Sequence, residues 1–478
     1  MNLAFQFIGT CGSMRPVRIA SLELHNVGIF DQAILHFPPP NATTGNLVLF
    51  EGPNGTGKST IIEAIASMIG RDTVNGICTT SAPLVGRFPA NNGSIVLAVE
   101  HVEQTMHVSI EQRAAQTQGH LTKWSRPDGT PYSGAVADAI RGYLYADRGE
   151  PTDPKTEWAA FMYRPHGRTQ YHSAKGFREL SRTAISGSLS GALDEQSRPG
   201  TDLLQMVVNL ENARIRNTGY AVEELNPEVR LKKAAASKEA IDRLRTGLSA
   251  ILGKTVTFKF INDEMSAELL LDGLLIRPDE WGEGMRSTLS WLTDLLVRLE
   301  NIRWNNDEIP PWDQEFWLLL DEIEESLHPK RQMEILPALR KLFPNAHIYA
   351  TTHSPFVVSS VGEGHVFSIR PDPRTRRVSG EIKPTPLQPG QSLDWIIKHV
   401  FDIQSPFMDV STRDDLSAHD NEVTALVNGN QALDWSAFLA RRERLLRLNA
   451  HVATIVLMRE LSVRDIIDEK AADDRNGT

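Results

Sequence analysis

Apolar runs of strand length alternate with amphipathic runs of helix length along much of this chain. Leu47–Phe50 is a short apolar run, and Ile61–Ile69, which follows a glycine-rich turn, has helical periodicity. Trp158–Tyr163, Phe316–Leu320 and Ala346–Ala350 are further apolar runs that are typical of buried strands. This order of elements predicts an α/β fold.

A second group of strands is predicted near the glycine-rich turn. Val17–Leu24, Ala33–Phe37, Ser94–Glu100 and Thr105–Ile110 are short β-patterned runs, and the last of them alternates apolar and polar residues. Strands this close along the chain favour hairpins, so we expect an antiparallel β-layer against the α/β core. The polar, turn-rich segment Gln112–Ser133 predicts a surface loop.

The middle of the chain changes to helical periodicity. Ala135–Ala146, Leu203–Arg214 and Leu231–Leu252 predict helices, of which the last two form an insertion. The insertion is short, because no long heptad run that could form a coiled-coil arm is present. Thr255–Phe260 and Ala267–Ile276 then predict strands, the second folded into a hairpin at Asp272-Gly273.

The last part of the chain is again predominantly helical. Arg370–Arg377 predicts a basic turn between strands, either a solvated hairpin or a nucleic-acid contact. Ser392–Phe401 and Asn421–Leu461 predict helices, and the acidic segment Asp465–Thr478 predicts a fraying tail. We therefore expect a first α/β lobe with the glycine-rich turn at 14–180, a helical insertion at 181–254, a second α/β lobe at 255–385 and a C-terminal helical module at 386–478.

Composition restricts the class of protein. The 478 residues carry a net charge of −10 with a pI near 5.8, which argues against a nucleic-acid binder driven by overall charge. Only two cysteines are present, so neither a disulfide framework nor a cysteine metal site is indicated, and a cytoplasmic location is expected. The apolar runs are too short to cross a bilayer.

The glycine-rich turn fits the phosphate-loop pattern G-x-x-x-x-G-K-[ST] at every position. Its glycines allow successive backbone N–H groups to face a polyphosphate, and the following helix directs its positive dipole end at the same anion. The alternative is an ordinary strand-to-helix turn with an incidental lysine. The candidate nucleotide-binding residues are Gly52, Pro53, Asn54, Gly55, Thr56, Gly57, Lys58, Ser59 and Thr60.

A second set of polar residues follows two later strands. Asp321 and Glu322 end the run Phe316–Leu320, and His353 follows the run Ala346–Ala350. Asp321 is placed to hold Mg²⁺ opposite Ser59, and the neighbouring carboxylate is placed to polarise an attacking water. Taken alone, an Asp-Glu pair after a strand is also a common helix cap, and a single histidine is usually structural.

One more glycine-rich segment, Trp281–Ser287, precedes a predicted helix at Thr288–Leu299. A glycine-rich helix start is a candidate anion site. A second phosphate cradle in one chain is understandable if it serves a nucleotide bound to a neighbouring subunit.

Taken together, these motifs resemble the ATP-binding-cassette (ABC) ATPase heads of the SMC, RecF and OLD group. More narrowly, they are similar to compact bacterial ATPases of anti-phage systems such as the Septu, retron-linked and PARIS-type modules. The resemblance implies that Gly52–Ser59 is Walker A, Asp321-Glu322 is Walker B with its catalytic glutamate, and His353 is the switch histidine. Lys58 would act on the γ-phosphate, and Ser59 and Asp321 would hold Mg²⁺.

The same resemblance assigns the remaining positions. Gly284 and Arg286 stand in the signature loop, where Gly282 replaces the serine of the family pattern, and Ser326–His328 matches the D-loop. Arg168, with Gln170 nearby, is the candidate for the Q-loop. The implied fold is a P-loop NTPase head with an antiparallel β-layer, a short helical insertion and a C-terminal helical module.

The resemblance also implies cofactors and partners. ATP and Mg²⁺ are expected, with assembly into a dimer or a larger even oligomer, and no membrane partner. A separately encoded nuclease or toxin would be controlled by the ATPase, with DNA or a phage component as the trigger. The alternatives are a DNA-repair ATPase of the RecF or SMC kind and a scaffold whose nucleotide state sets its assembly.

An intrinsic nuclease is not expected. OLD-type relatives carry a TOPRIM domain, which needs a strand-borne glutamate and a paired-aspartate motif. Gly362-Glu363-Gly364 is the nearest match to the glutamate, but it lies in the expected ATPase sheet and has no Asp-x-Asp partner. No His-Asn-His arrangement was found.

Overall fold

The structure is a computed structural model that describes residues 17–39, 45–69, 93–101, 104–112, 120–126, 128–130, 158–164, 203–221, 227–261, 266–275, 282–302, 304–306, 308–403, 409–429, 433–448 and 450–476. The chain divides into two compact units, Met1–Phe401 and Asp402–Thr478. The first unit includes helix Leu393–His399, so the predicted start of the helical module at 386 precedes this boundary.

The described strands of the first unit form three sheets. In chain order they are β1 (Arg18–Val27), β2 (Phe30–His36), β3 (Leu47–Glu51), β4 (Ser94–His101), β5 (Gln104–Gln112), β6 (His120–Ser125), β7 (Ala159–Tyr163), β8 (Val256–Ile261), β9 (Ser266–Leu271), β10 (Leu274–Leu275), β11 (Phe316–Leu320), β12 (His347–Thr352), β13 (Gly364–Ser368), β14 (Val378–Ile382) and β15 (Pro384–Leu387).

The described helices of this unit are α1 (Lys58–Ile69), α2 (Leu203–Ala221), α3 (Glu228–Leu252), α4 (Glu283–Asn301), α5 (Pro329–Leu342), α6 (Pro355–Ser359) and α7 (Leu393–His399). α2 and α3 each match a predicted helical run and extend beyond it, so these two helices are confirmed. Arg243 of α3 hydrogen-bonds the Leu342 carbonyl at the end of α5, which attaches the insertion to the core.

The central sheet has the order β15-β13-β3-β12-β11-β7. Five of its strands are parallel, and β15 pairs antiparallel with β13. Parallel strands end at the same edge of a sheet, and ligands of open α/β folds bind beyond this edge. The residues that follow β3, β7, β11 and β12 are therefore brought together.

Both faces of the central sheet are buried, which explains why its strands are continuous apolar runs. Leu318 of β11 points into a core shared with helices α2–α5, whereas Trp317 and Leu319 point into a second core shared with α1 and the antiparallel sheet. Trp317 stacks on Trp158, with ring centroids 5.0 Å apart.

The antiparallel layer has the order β14-β2-β1-β4-β5-β6, with β14 parallel to β2. This confirms the predicted layer and corrects one detail. The sequence predicts a surface loop over Gln112–Ser133, but His120–Ser125 forms β6 and pairs with β5. The alternating segment His120-Leu121-Thr122-Lys123-Trp124 has a strand pattern that the surrounding polar residues obscured.

The small third sheet contains the predicted hairpin. β9 and β10 pair across Asp272 and Gly273, whose φ angles of 53° and 79° are both left-handed. Asp-Gly is a favoured pair for a two-residue turn that requires positive φ at both positions. The hairpin prediction is therefore confirmed.

The second unit is helical, with α8 (Val410–Val427), α9 (Trp435–Leu448), α10 (Ala450–Glu460) and α11 (Arg464–Asn476). Its centre includes a buried carboxylate, Glu460, which accepts two hydrogen bonds from Arg442 Nε at 2.9 and 3.0 Å and lies 3.0 Å from His419 Nε2. Burial raises the pKa of Glu460, but these two partners outweigh it and hold the pKa below its usual range.

The end of the chain differs from the predicted fraying tail. Residues 464–476 form α11, and Ile467 of this helix is fully buried in the core of the second unit. A single isoleucine pair in an acidic segment was too weak a periodic signal to predict this helix. The helix predicted at Ala135–Ala146 lies outside the described residues.

Candidate nucleotide-binding site

The phosphate loop leads from β3 into α1 in the predicted strand–turn–helix arrangement. Gly55 and Gly57 have φ angles of 78° and 79°, which L-amino acids with a side chain rarely adopt. Gly57 has a second constraint, because a Cβ atom there would lie 2.7 Å from the Phe30 ring. The loop backbone therefore needs glycine at both positions.

Lys58 is buried and turned back onto its own loop. Its Nζ donates to the carbonyl oxygens of Gly52 at 2.8 Å and Pro53 at 3.0 Å. Burial lowers the pKa of Lys58, whereas nearby carboxylates, among them Glu322, oppose this shift. The lysine thus contacts the phosphate loop itself, and a bound phosphate would offer it a stronger acceptor than a carbonyl.

The structure brings the phosphate loop and the end of β11 into contact. Ser59 Oγ donates to Asp321 Oδ1 at 3.0 Å, and Thr351 Oγ1 donates to the same oxygen at 2.6 Å. Asp321 is completely buried. A hydroxyl and a carboxylate side by side offer the hard oxygen ligands that Mg²⁺ prefers, so the residues fit this ion. Among the described residues, no group of three or more His, Cys, Asp or Glu side chains is arranged so that it could hold a metal ion.

Glu322 follows Asp321 with a left-handed φ of 55°. Its N–H donates to Thr351 Oγ1 at 2.7 Å, which holds this turn against β12. His353 follows β12, and its Nε2 lies 3.9 Å from Glu322 Oε1. Burial and the charge of Lys58 lower the pKa of His353, which favours the neutral ring. The three predicted catalytic residues therefore lie close together.

Two carboxylates of this region were not predicted as site residues. Glu324 accepts a hydrogen bond from the backbone N–H of His353, and burial raises its pKa. Glu51, directly before the loop, is buried and pairs with Arg370 at 2.7 Å, while burial also raises its pKa. Glu324 thus holds the turn that contains His353, and Glu51 joins the chain before the phosphate loop to Arg370.

Arg164 is the other residue that sequence reasoning missed. It follows β7 and donates to Asp321 Oδ2, with its Nε at 2.8 Å and its Nη2 at a shorter distance. The signal was present in the sequence, since an arginine directly follows a buried strand. Its importance depends on the pairing of β7 with β11, which the sequence did not reveal. Arg168, the predicted Q-loop residue, and Trp281 lie outside the described residues.

The second glycine-rich segment begins α4. Its N-cap residue is Gly282, which has no side chain that could cap the helix. Gly284 packs so closely against the turn at Ser326 that a Cβ atom would fall well inside van der Waals contact with the Ser326 carbonyl oxygen. Gly284 thus joins the predicted signature loop to the predicted D-loop within one chain. The backbone of Arg286 lies in α4, but its side chain is not described.

Comparisons with known proteins agree with these motifs. Residues 21–126 match an AAA domain family model, and residues 209–359 match another AAA domain model, whose description refers to an AbiEii toxin of a Type IV TA system. The two segments contain the phosphate loop and the Asp-Glu strand, respectively.

Two relatives are informative. The chain is 32% identical to the Septu protein PtuA of Bacillus mycoides (strain KBAB4) over 349 residues, which is 73% of this chain and 40% of that protein. It is 27% identical to the Retron Ec83 probable ATPase of Escherichia coli over 132 residues, 27% of this chain and 23% of that protein. The alignments thus span less than half the length of these relatives.

Solved structures include the Smc head domain from Pyrococcus furiosus bound to a C-terminal domain of ScpA. It is 12% identical, with a TM-score of 0.41, over 81% of this chain and all of that one. In the described part of the chain, no helix has the length and apolar character needed to cross a membrane. The two AAA domain matches, together with the contact between the phosphate loop and the Asp-Glu strand, indicate a P-loop ATPase, and the chain is similar to Septu and retron proteins.

Proposed function

We propose that this chain is a Mg²⁺-dependent ATPase that binds ATP on Gly52–Ser59 and uses Glu322 to activate the attacking water. The observation that carries the proposal is the hydrogen bond between Ser59 and Asp321, two residues 262 positions apart in the sequence. It brings the phosphate loop and the Asp-Glu strand into the arrangement that nucleotide hydrolysis requires.

Each residue has a role that follows from its position. The loop backbone and Lys58 would bind the phosphates, with Lys58 exchanging the Gly52 and Pro53 carbonyls for phosphate oxygens. Mg²⁺, held near Ser59 and Asp321, would supply positive charge to the phosphate oxygens. A neutral His353 would donate a hydrogen bond toward the γ-phosphate, since its Nε2 lies on the side of Glu322.

The geometry supports Glu322 as the general base. Its left-handed backbone is an outlier of the kind that is kept at functional sites, and the bond from its N–H to Thr351 holds it there. Replacing Glu322 with glutamine removes the base but keeps the shape of the side chain. We expect Glu322→Gln to lower ATP turnover about a hundredfold or more while ATP binding is retained.

Steady-state phosphate release and binding of a fluorescent ATP analogue measure these two quantities. Glu334→Gln on α5 is the matched control, because its carboxylate pairs with Arg331 outside the site and its loss should leave turnover unchanged. Turnover by Glu322→Gln close to that of the wild type would contradict the role of Glu322.

We further propose that two subunits close over ATP, with the segment that contains Gly284 and Arg286 facing the nucleotide of a partner copy. The start of α4 supports this, because its N-cap residue is Gly282, which has no side chain that could accept from the backbone N–H groups of the first turn. The relatives named for Septu and retron systems support control of a separately encoded nuclease or toxin. Co-purification of the neighbouring gene products, with mass determination of the assembly, tests both points.

The lack of an intrinsic nuclease stays part of the proposal. Glu363 lies in the bend directly before β13, a strand of the central sheet, which supports the view that it is not part of a nuclease domain. Purified protein with Mg²⁺ or Mn²⁺ should leave plasmid and tRNA intact. Cleavage that persists in the Lys58→Ala variant would contradict this part of the proposal.

A further inference from the structure

Arg164 and Asp321 face each other because their strands are neighbours. Tyr163 ends β7 and lies opposite Leu320 of β11 in the parallel register, so the next residues of both strands leave the sheet side by side. The guanidinium group donates through Nε and Nη2 to the same oxygen, Asp321 Oδ2. The result is a charge-assisted contact at the residue expected to hold Mg²⁺.

The hydrogen-bonding capacity of Asp321 is fully used by the chain itself. An ionised carboxylate offers about four acceptor positions. Ser59 and Thr351 donate to Oδ1, and the two donors of Arg164 occupy Oδ2. A metal ion, or a water bound to it, must therefore displace one of these donors to reach the carboxylate.

Only one of the three donor residues can leave without loss of the site. Ser59 is itself the expected metal ligand, and Thr351 is buried and also accepts the hydrogen bond from Glu322 N–H. The side chain of Arg164 is 26% exposed, and a second carboxylate, Glu63 on α1, lies 3.8 Å from its Nη2. Arg164 can thus turn away from Asp321 while its charge stays near an acidic partner.

In the nucleotide-free site, the positive charge of Arg164 compensates the negative charges of two buried carboxylates. Asp321 is fully buried and Glu63 is nearly so, and the guanidinium lies between them. Two buried carboxylates without a nearby cation are costly, because each must be removed from water without compensation. Lys58 is close, but its Nζ donates to the loop carbonyls instead.

We propose that Arg164 is a resident counter-ion that occupies the cation position at Asp321 in the nucleotide-free protein and gives way to Mg²⁺ when the site is loaded. The inference rests on the proposed function in one respect, namely that Mg²⁺ enters beside Ser59 and Asp321. It makes Arg164 a positioning residue that keeps the empty site folded and sets how much Mg²⁺ is needed to fill it.

The test is the thermal stability of Arg164→Gln without any nucleotide, in EDTA and in Mg²⁺. Loss of the guanidinium should lower Tm in EDTA by a few degrees relative to the wild type. Added Mg²⁺ should recover most of this loss, because the ion replaces the missing cation, while the wild type should change little. The Mg²⁺ concentration that half-saturates binding of a fluorescent ATP analogue should also fall about tenfold, since no internal cation competes.

Arg298→Gln is the matched control. Arg298 donates to another buried carboxylate, Asp294, at 2.6 Å, and Tyr163 also hydrogen-bonds this aspartate. Its loss should lower Tm equally in EDTA and in Mg²⁺. The same Mg²⁺-independent loss in Arg164→Gln, or no loss at all, would overturn the proposal.

A double variant covers the case in which Arg164→Gln does not fold. Combining Arg164→Gln with Asp321→Asn removes both charges of the pair. The double variant should therefore fold, and its Tm should not respond to Mg²⁺. A double variant that also fails to fold overturns the counter-ion role. The proposed function fails separately. If the wild type does not hydrolyse ATP but Mg²⁺ restores the Tm of Arg164→Gln, the ATPase proposal is wrong and the counter-ion role is supported. If the wild type hydrolyses ATP but Mg²⁺ does not restore the Tm of Arg164→Gln, the counter-ion role is wrong and the ATPase proposal is supported.

Discussion

The two glycine-rich helix starts of this protein need glycine for different reasons. At the start of α1, Gly55 and Gly57 adopt left-handed backbone angles, so the residue type is required by the shape of the loop. At the start of α4, Gly282 has an ordinary φ of −62°, and Gly284 is constrained by its contact with Ser326. The first segment forms a phosphate-binding loop, and the second forms a close packing contact within the chain.

This difference shows what a glycine pattern can and cannot establish. Both segments offer backbone N–H groups and a positive helix end to an anion. Only the α1 segment also has left-handed glycines and a buried lysine, Lys58, whose Nζ donates to a carbonyl of the loop. The glycine at 284 is explained within one chain, so it does not by itself require a phosphate from a partner subunit.

The largest effect is expected for Gly57→Ala. The substitution imposes a left-handed φ on alanine, which costs about 1–2 kcal/mol, and it also drives the new methyl group into the buried Phe30 ring. We expect loss of ATP binding together with a lower Tm, measured by analogue fluorescence and thermal unfolding. Gly55→Ala is the control, because it has the same φ but nothing within 4 Å. Equal effects in the two variants would show that the contact with Phe30 is unimportant.

Gly284→Ala should have an intermediate effect. Its methyl group would meet a backbone carbonyl that cannot move aside as a side chain can. We expect the free energy of unfolding to fall by about 1–3 kcal/mol, the usual range for overpacking, while ATP binding at the phosphate loop is retained. Chemical denaturation measures this loss, and Gly282→Ala, with open space around its Cβ, should be close to neutral. Equal stability of the two variants would show that the close contact between Gly284 and Ser326 does not restrict the residue at position 284.

Gly282→Asp should have the smallest effect on the isolated chain and separates the two explanations for the α4 start. An aspartate at this exposed N-cap can accept a hydrogen bond from the helix and should stabilise the chain by up to about 1 kcal/mol. If α4 faces the γ-phosphate of a partner copy, the added carboxylate should abolish ATP-dependent association. Sedimentation with and without ATP in the Glu322→Gln background measures it, and undiminished association would rule out the composite site.

Much of the site could be predicted from the sequence because its residues lie directly after apolar strands. The pairing of Ser59 with Asp321 and the approach of His353 to Glu322 follow from a phosphate loop and two strands that end at the same sheet edge. The predicted antiparallel layer and hairpin followed in the same way from periodicity and turn chemistry.

The missed features depend on which strands become neighbours. Arg164 gains its role only because β7 pairs with β11, and no local pattern reveals such pairing. Glu324 matters because its turn meets the backbone of His353, again a contact between distant segments. Gly284 was assigned to a phosphate site from its sequence context, whereas its contact with Ser326 depends on tertiary packing.

The position of β3 has a consequence for how the protein is made. This strand lies between β12 and β13 in the central sheet, and both neighbours are synthesised long after it. Until they emerge, the apolar strand that leads into the phosphate loop has two unpaired edges, which favour wrong association. Folding of the nucleotide site must also wait for contacts of high sequence separation, which slows folding. A nascent chain that stops before His347 would thus carry a complete phosphate-loop sequence without either strand that holds it in the sheet.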